Sequence, residues 1–226
     1  MTRTLRVAIA AALVALCPRA AAAQWNAARL DGAPNRVYTS FGLDPALVPT
    51  IGYARTLRLF GHPFQLAADV GVVAAEWDTQ DFRARVDAFT SLVHWGALHL
   101  TGSAAFITRG TDNAIYRGLN FGADFSGALG VHRHRWFAAG EFGFDKAIIT
   151  HITHSEWYRQ YFYPDAKDGW YLTGGGTFHY GLAAGLTVGP SELLARYGWR
   201  RTERFGDLTP PMYASLGMGW RSRGGR

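Results

Sequence analysis

The chain has 226 residues, a single cysteine and a formal charge of +6. With Cys17 alone, no disulfide framework can form, so stability has to come from packing and backbone pairing. Arg3, Arg6 and Arg19 lie in the first 23 residues, and the charge of about +3 left beyond them is too mild for a nucleic-acid binder.

That leading segment is the first predicted element. Arg3 and Arg6 precede an apolar run at 7–16, and a small-residue stretch at 20–23 leads to Gln24, the layout of a secretory signal peptide. The apolar core of about ten residues is roughly half of what a helix needs to cross a bilayer. Cleavage after Ala23 is therefore predicted, which removes Cys17. Cys17 follows Leu16, where lipoprotein processing wants a small residue. Residues 24–226 are predicted as one domain.

Beyond the leader no segment reaches 18 consecutive apolar residues, so no transmembrane helix is expected. Period-two alternation recurs instead, and it predicts about ten strands, with eight or twelve as the neighbouring even counts. They fall at 36–44, 48–57, 63–74, 82–95, 97–108, 116–130, 134–147, 171–189, 192–203 and 211–222. In the third, Phe64, Leu66, Ala68 and Val70 alternate with Gln65, Ala67, Asp69 and Gly71. In the sixth, Leu119, Phe121, Ala123 and Phe125 alternate with Asn120, Gly122, Asp124 and Ser126. Only a strand sends successive side chains to opposite faces in this way. Connections after the even-numbered strands are short, at 58–62, 95–96, 131–133 and 189–191. Those after the third, fifth, seventh and ninth are longer, at 75–81, 109–115, 147–170 and 204–210.

The polar face is rich in small residues and carries sparse charges of both signs. Asp69, Asp87, Asp124, Glu141 and Asp145 stand against Arg83, Arg85, Arg196 and Arg200. Buried charges are tolerable only when paired, so these nine are predicted to form an ion-pair network in a narrow interior, with the apolar face turned to lipid. The only lysines are Lys146 and Lys167, and arginine's planar fork suits confined pairs. Trp95, Trp136 and Trp220 fall at the short-turn end, and Trp77, Trp157, Trp170, Tyr171 and Trp199 near the other, as two interfacial girdles require. A soluble all-β fold with the apolar face inward is the alternative.

Tight turns at one end, long loops at the other and an even strand count resemble the small outer-membrane β-barrel proteins of Gram-negative bacteria over the whole of 24–226. The resemblance implies an antiparallel up-and-down transmembrane barrel in the outer membrane with both termini in the periplasm. Its implied partners are outer-membrane lipid, lipopolysaccharide and the barrel-assembly machinery. Members often end in an aromatic residue. Here Trp220 is nearest, and 221–226 trail beyond it.

The barrel-borne lipid A deacylases carry a His-x-Ser-Asn element, and the ten-stranded barrel proteases an Asp-x-His element; neither occurs here. His151 and His154 have a spacing that suits a metal only on a helix, and no metal or cofactor is expected. His132, Arg133, His134 and Arg135 read as a solvated basic turn. The 147–170 connection holds Trp157, Tyr158, Tyr161, Phe162, Tyr163 and Trp170, an aromatic loop suited to surface contact. The predicted role is therefore structural or surface-interacting, with a closed or narrow lumen and no catalytic residue. The alternatives are a narrow channel for small polar solutes and an outer-membrane lipid-modifying hydrolase.

Overall fold

The computed structural model describes residues 25–32, 34–43, 47–74 and 80–222. The leader expected over 1–23, Trp77, most of the 75–81 loop and residues 223–226 lie outside the described residues.

A 3-10 turn, η1 (Ala27–Gly32), precedes the strands β1 (Asn35–Leu43), β2 (Leu47–Leu59), β3 (His62–Val72), β4 (Phe82–Trp95), β5 (Leu98–Asp112), β6 (Tyr116–His132) and β7 (Trp136–His154). A one-and-a-half-turn helix, α1 (Glu156–Tyr161), and a short strand, β8 (Gly169–Leu172), lead to β9 (Gly176–Val188), β10 (Ser191–Thr202) and β11 (Asp207–Ser222). Each strand from β1 to β7 pairs antiparallel with the next, β7 then pairs β9, and β11 returns to β1. Ten strands thus close on themselves and leave no edge along the wall, while β8 hangs on β7 alone.

The predicted strand at 171–189 is corrected by this pairing. The β7–β9 ladder ends at Lys146↔Gly176 and the β7–β8 ladder resumes at Ile149↔Leu172, displaced by one residue. Thr173, Gly174 and Gly175 leave the ladder between the two, and Gly175 turns through φ +89°, a conformation glycine adopts without strain. The loop expected at 109–115 is also mostly strand. β5 continues to Asp112 and β6 starts at Tyr116, with Asn113 Oδ1 accepting from the backbone N–H of Ile115 and Tyr116. In the same way β11 starts at Asp207, inside the loop expected at 204–210. Pro210 and Pro211 sit in the register break between Trp199↔Met212 and Arg201↔Asp207, beyond the end of β1, so their missing N–H forfeits no ladder bond.

The wall is uneven in height. About nine to eleven tilted residues cross a bilayer, which β1 matches with 9, whereas β5, β6 and β7 have 15, 17 and 19. The β5–β7 side therefore rises beyond the apolar band at the end away from the termini.

Face chemistry is inverted relative to a soluble protein. Phe125 is 62 % exposed and Leu216 68 %, whereas Arg85 and Glu141 are 4 % exposed. Among the described residues seven arginines and six acids are buried, so the interior charge is nearly balanced. Such a barrel stays out of plain water because its outer face is a continuous apolar surface, and it suits hydrocarbon. This disposes of the soluble alternative, in which Phe125, Leu182 and Leu216 would have to be core. Trp95, Trp136 and Trp220 are exposed at the short-turn end, and Trp199, Trp170 and Tyr171 at the other. Glycines in the wall make room for inward rings. A Cβ at Gly52 would lie 2.3 Å from the Tyr38 ring, and one at Gly143 2.3 Å from His179 Nε2.

Candidate functional site: a charge-packed lumen and an outward vestibule

The interior is built in three levels, each assembled from positions on the polar phase of several strands. At the level of the termini, the second residue of β10 is Glu192, which is fully buried and lies 3.2 Å from Arg36 and 3.3 Å from Arg221. Its carboxylate also accepts from the backbone N–H of Asn26 at 2.6 Å. The Arg36 guanidinium lies over the Trp25 ring at 4.4 Å, and Trp25 meets Tyr38 edge-on. The segment from Trp25 through η1 is thus folded inside the wall. The Asn26 amide donates to the Arg133 carbonyl (2.7 Å), Ala27 N–H to His132 Nδ1 (3.1 Å), and Arg221 to the Arg29 carbonyl (2.5 Å). Leu30 packs with Phe89, both almost fully buried. Trp25 and Leu30 fill this mouth as a stopper. His132, expected in a solvated turn, is instead buried and stacked on Phe137 at 4.9 Å, because it is the last inward position of β6.

At mid-height Asp69 accepts from Tyr38 OH (2.9 Å) and from Arg85 (2.7 and 3.1 Å), with Arg83 3.7 Å away. Arg85 also stands 3.8 Å from Asp87. Across the lumen, Arg196 donates from Nε to Glu141 (2.9 Å), which accepts from the Tyr213 hydroxyl as well. His179 and Asp124 form a third pair at 2.8 Å. Asp87 is within electrostatic reach of both Asp124 and Arg196, so the two sides of the level face each other. At the upper level Arg109 pairs with Asp145 and donates to Asn120 (3.1 Å), while Arg200 donates to the Pro210 carbonyl (2.8 Å).

Asp69, Arg83, Arg85, Asp87, Asp124, Glu141, Asp145, Arg196 and Arg200 are all buried inside the barrel. They divide into clusters at different heights, completed by Arg36, Tyr38, Arg109, His179, Glu192, Tyr213 and Arg221, residues the sequence reading did not single out. Each of those seven continues the polar phase of its strand, which is the signal that could have found them.

Above the upper level the lumen opens into a vestibule of about 960 Å³, floored by Arg109 and Arg200 and rimmed by 171–177 and 202–204. The overhanging ends of β5–β7 and β8 form one side of it. The aromatic loop stands beside this mouth. Ser155 caps α1 by accepting from Tyr158 N–H, and Asp168 ties the loop back to the His154 N–H (2.8 Å) and to Arg159 (2.5 Å). Trp157 packs on Phe162 at 5.0 Å, Tyr158 stacks on His154, and Tyr161 and Tyr163 point outward. Trp170 sits on β8, stacks on Phe121 and meets His151 edge-on. His151 and His154 lie on β7, where a spacing of three puts them on opposite faces. Among the described residues no group of three histidines or acids is placed to hold a metal.

The class defined by this fold is the closed antiparallel transmembrane β-barrel with an apolar exterior. Neither a family model nor a curated protein matches the chain. Among solved structures it is similar to the Acinetobacter baumannii outer membrane protein Omp33, at 9 % identity and a TM-score of 0.33, over 84 % of this chain and 98 % of that one. At that score the likeness adds nothing to what the two faces of the barrel already establish.

Proposed function

We propose that this chain is an outer-membrane barrel with a sealed lumen, delivered by the leader at 1–23 and acting through its outward end. One observation carries the reading: Asp69, Arg85, Glu141 and Arg196 sit at mid-height and are each less than a tenth exposed. Side chains lining a hydrated pore would be wetted, and these are not. A barrel of eight to ten strands has an interior just wide enough for side chains to fill. Its paired charges hold opposite walls together, and the stopper of Trp25 and Leu30 adds a second closure below.

The functional surface is then the vestibule and the aromatic loop, both at the end away from the termini, which in this architecture faces the cell exterior. Lipopolysaccharide and outer-membrane lipid are the neighbours that surface meets. The test is planar-bilayer recording on refolded protein whose heat-modified gel shift reports an intact barrel. Bilayers are expected to remain silent. Steady ohmic steps from the folded species would overturn the sealed reading in favour of a narrow channel for small polar solutes.

A further inference from the structure

We propose that the lipid-facing wall carries a docking site for a phosphate-bearing lipid of the outer leaflet, the lipid A part of lipopolysaccharide. One acyl chain lies in a groove across β6, β7 and β9, and a phosphate is held at Lys146. The inference rests on the reading that the end away from the termini faces the cell exterior.

The outward positions of β7 set out the site. From Trp136 they run through Ala138, Gly140, Phe142 and Phe144, all apolar, to Lys146, which is exposed. Two measures give the height of that ammonium. Trp136 and Lys146 are ten residues apart on one strand, which at ~3.4 Å per residue and a tilt of ~45° is ~24 Å. Ladder partners followed from Trp220 through Val37 and Tyr53 round to Lys146 make seven strand-to-strand steps, and at ~4.8 Å each and the same tilt these again give ~24 Å. Both tryptophans belong to the girdle at the short-turn end, and the apolar band of such a barrel is ~25 Å tall. Lys146 therefore stands where the hydrocarbon of the far leaflet gives way to its headgroups.

That charge is left for an outside partner. Asp69, Asp145 and Glu141 are matched by arginines in the interior, whereas among the described residues no acid pairs with Lys146. It is the only lysine on a strand, since Lys167 lies in the loop after α1. Lysine is a compact point charge, which suits a phosphate. A second copy of the barrel would not answer it, because Asp69, Asp87, Asp124, Glu141 and Asp145 all point into the lumen.

Below the ammonium the wall is shaped for a hydrocarbon chain. Phe178 packs on Phe144 at 4.7 Å, on Phe205 at 5.1 Å and on Phe142 at 5.6 Å. The Phe144 ring lies over Gly176, the ladder partner of Lys146, where a Cβ would come within 2.3 Å of it. Beneath Phe142 the surface sinks. Gly140 offers bare backbone, with nothing within 4 Å of a Cβ placed there, and an apolar groove of about 590 Å³ opens among Leu129, Phe142, Tyr180, Leu182 and Trp199. Gly140 lies six residues below Lys146, ~14 Å of height, close to the ~15 Å of one leaflet's hydrocarbon. A chain descending from a headgroup at Lys146 therefore reaches the hollow.

The experiment presents the full-length barrel, delipidated in detergent, with lipid A or didephosphorylated lipid A, and counts retained lipid by native mass spectrometry. Lipid A is expected to be held at least about tenfold more tightly than its didephosphorylated form. Lys146→Gln should remove that preference. Gly140→Leu fills the hollow without touching a charge and should weaken both forms about fivefold. Arg117→Gln, at an exposed cation already paired with Asp112, should change nothing. All three variants should keep the heat-modified gel shift. Equal retention of the two forms, an unchanged preference in folded Lys146→Gln, or the same loss in Arg117→Gln overturns the inference. A dimer mass that Gly140→Leu abolishes assigns the groove to a second copy and overturns it too. Lipid retention and conductance are separate readouts. A conducting barrel that prefers lipid A sinks the sealed lumen alone, and a silent one without the preference sinks this inference alone.

Discussion

At the end where the chain termini lie, the Trp25 indole and the Leu30 side chain are drawn into the lumen, and the buried Glu192 carboxylate fastens the backbone between them at Asn26. At the other end the lumen widens into a cavity floored by Arg109 and Arg200 and rimmed by 171–177 and 202–204. The lower closure is made by eight residues of local chain, η1 and the two before it, folded back among strands more than a hundred residues away. The upper opening is made by the wall itself, through the excess length of β5–β7. The contrast between the mouths teaches that one wall can be plugged by its own leading segment below and left open above.

The contrast can be broken most severely at Glu192. Glu192→Ala leaves Arg36 and Arg221 buried beside each other without their acid, and about 3–5 kcal/mol of stability should be lost. Urea titration of the vesicle-embedded barrel, followed by gel mobility, reads this. A loss under about 1 kcal/mol would mean that the lower closure is not held by that carboxylate. Trp25→Ala should cost about 2–4 kcal/mol, from the cavity left against Tyr38 and Arg36. Tryptic cleavage at Arg29 should speed up, yet bilayers should stay silent because mid-height is still packed. Conductance in this variant would show that the stopper alone seals the barrel.

The matching change at the upper mouth is Asp145→Asn, opposite Arg109. Water in the vestibule can solvate the arginine, so a smaller loss of about 1–2 kcal/mol is expected by the same titration. A loss as large as that of Glu192→Ala would erase the distinction between the two ends.

The smallest effect lies outside the membrane. Hydrogen bonds from Arg159, and then from the His154 backbone, hold the Asp168 carboxyl down at about 2, below the ordinary value of 3.8. The ionised form is the one that ties α1 to the wall. Its contribution is complete above about pH 4 and is lost as the pH falls through about 2. Asp168 is exposed to solvent, with 38 % of its side chain accessible, so screening keeps the effect slight. Trp157 fluorescence should change between pH 4 and pH 2 in the wild type, with the gel shift unaltered. Asp168→Asn should show the acid-side signal throughout, and a pH step surviving in that variant would assign it to another group.

The wall was largely legible in the sequence. Alternation such as Leu119 to Ser126 needs only period and polarity, and both are local. Strand ends were not legible, and this hid much of the interior. Arg109 continues the polar phase of β5 but was assigned to a loop because the apolar partner residues stop where the strand leaves hydrocarbon. Arg221 fell inside the strand predicted at 211–222 but was read as part of the tail trailing beyond Trp220. The stopper was illegible in kind. Trp25, Asn26 and Leu30 follow no strand period, and nothing near them in sequence announces that Glu192 and His132 will receive them. The expected aromatic loop was visible as composition, but its division into α1 and β8 depends on a partner exchange along β7 that no local pattern encodes.

The joint between β1 and β11 brings together the first strand made and the last, over Asn35–Leu43. Glu192 on β10 and Arg221 on β11 both grip the segment just ahead of β1. Their grip cannot exist until those late strands have arrived, so the front of the chain must wait, undocked, through most of assembly. Once seated, it straps that joint from within, and parting the cylinder then means withdrawing an indole and stripping a carboxylate before the first ladder bond of the joint can open.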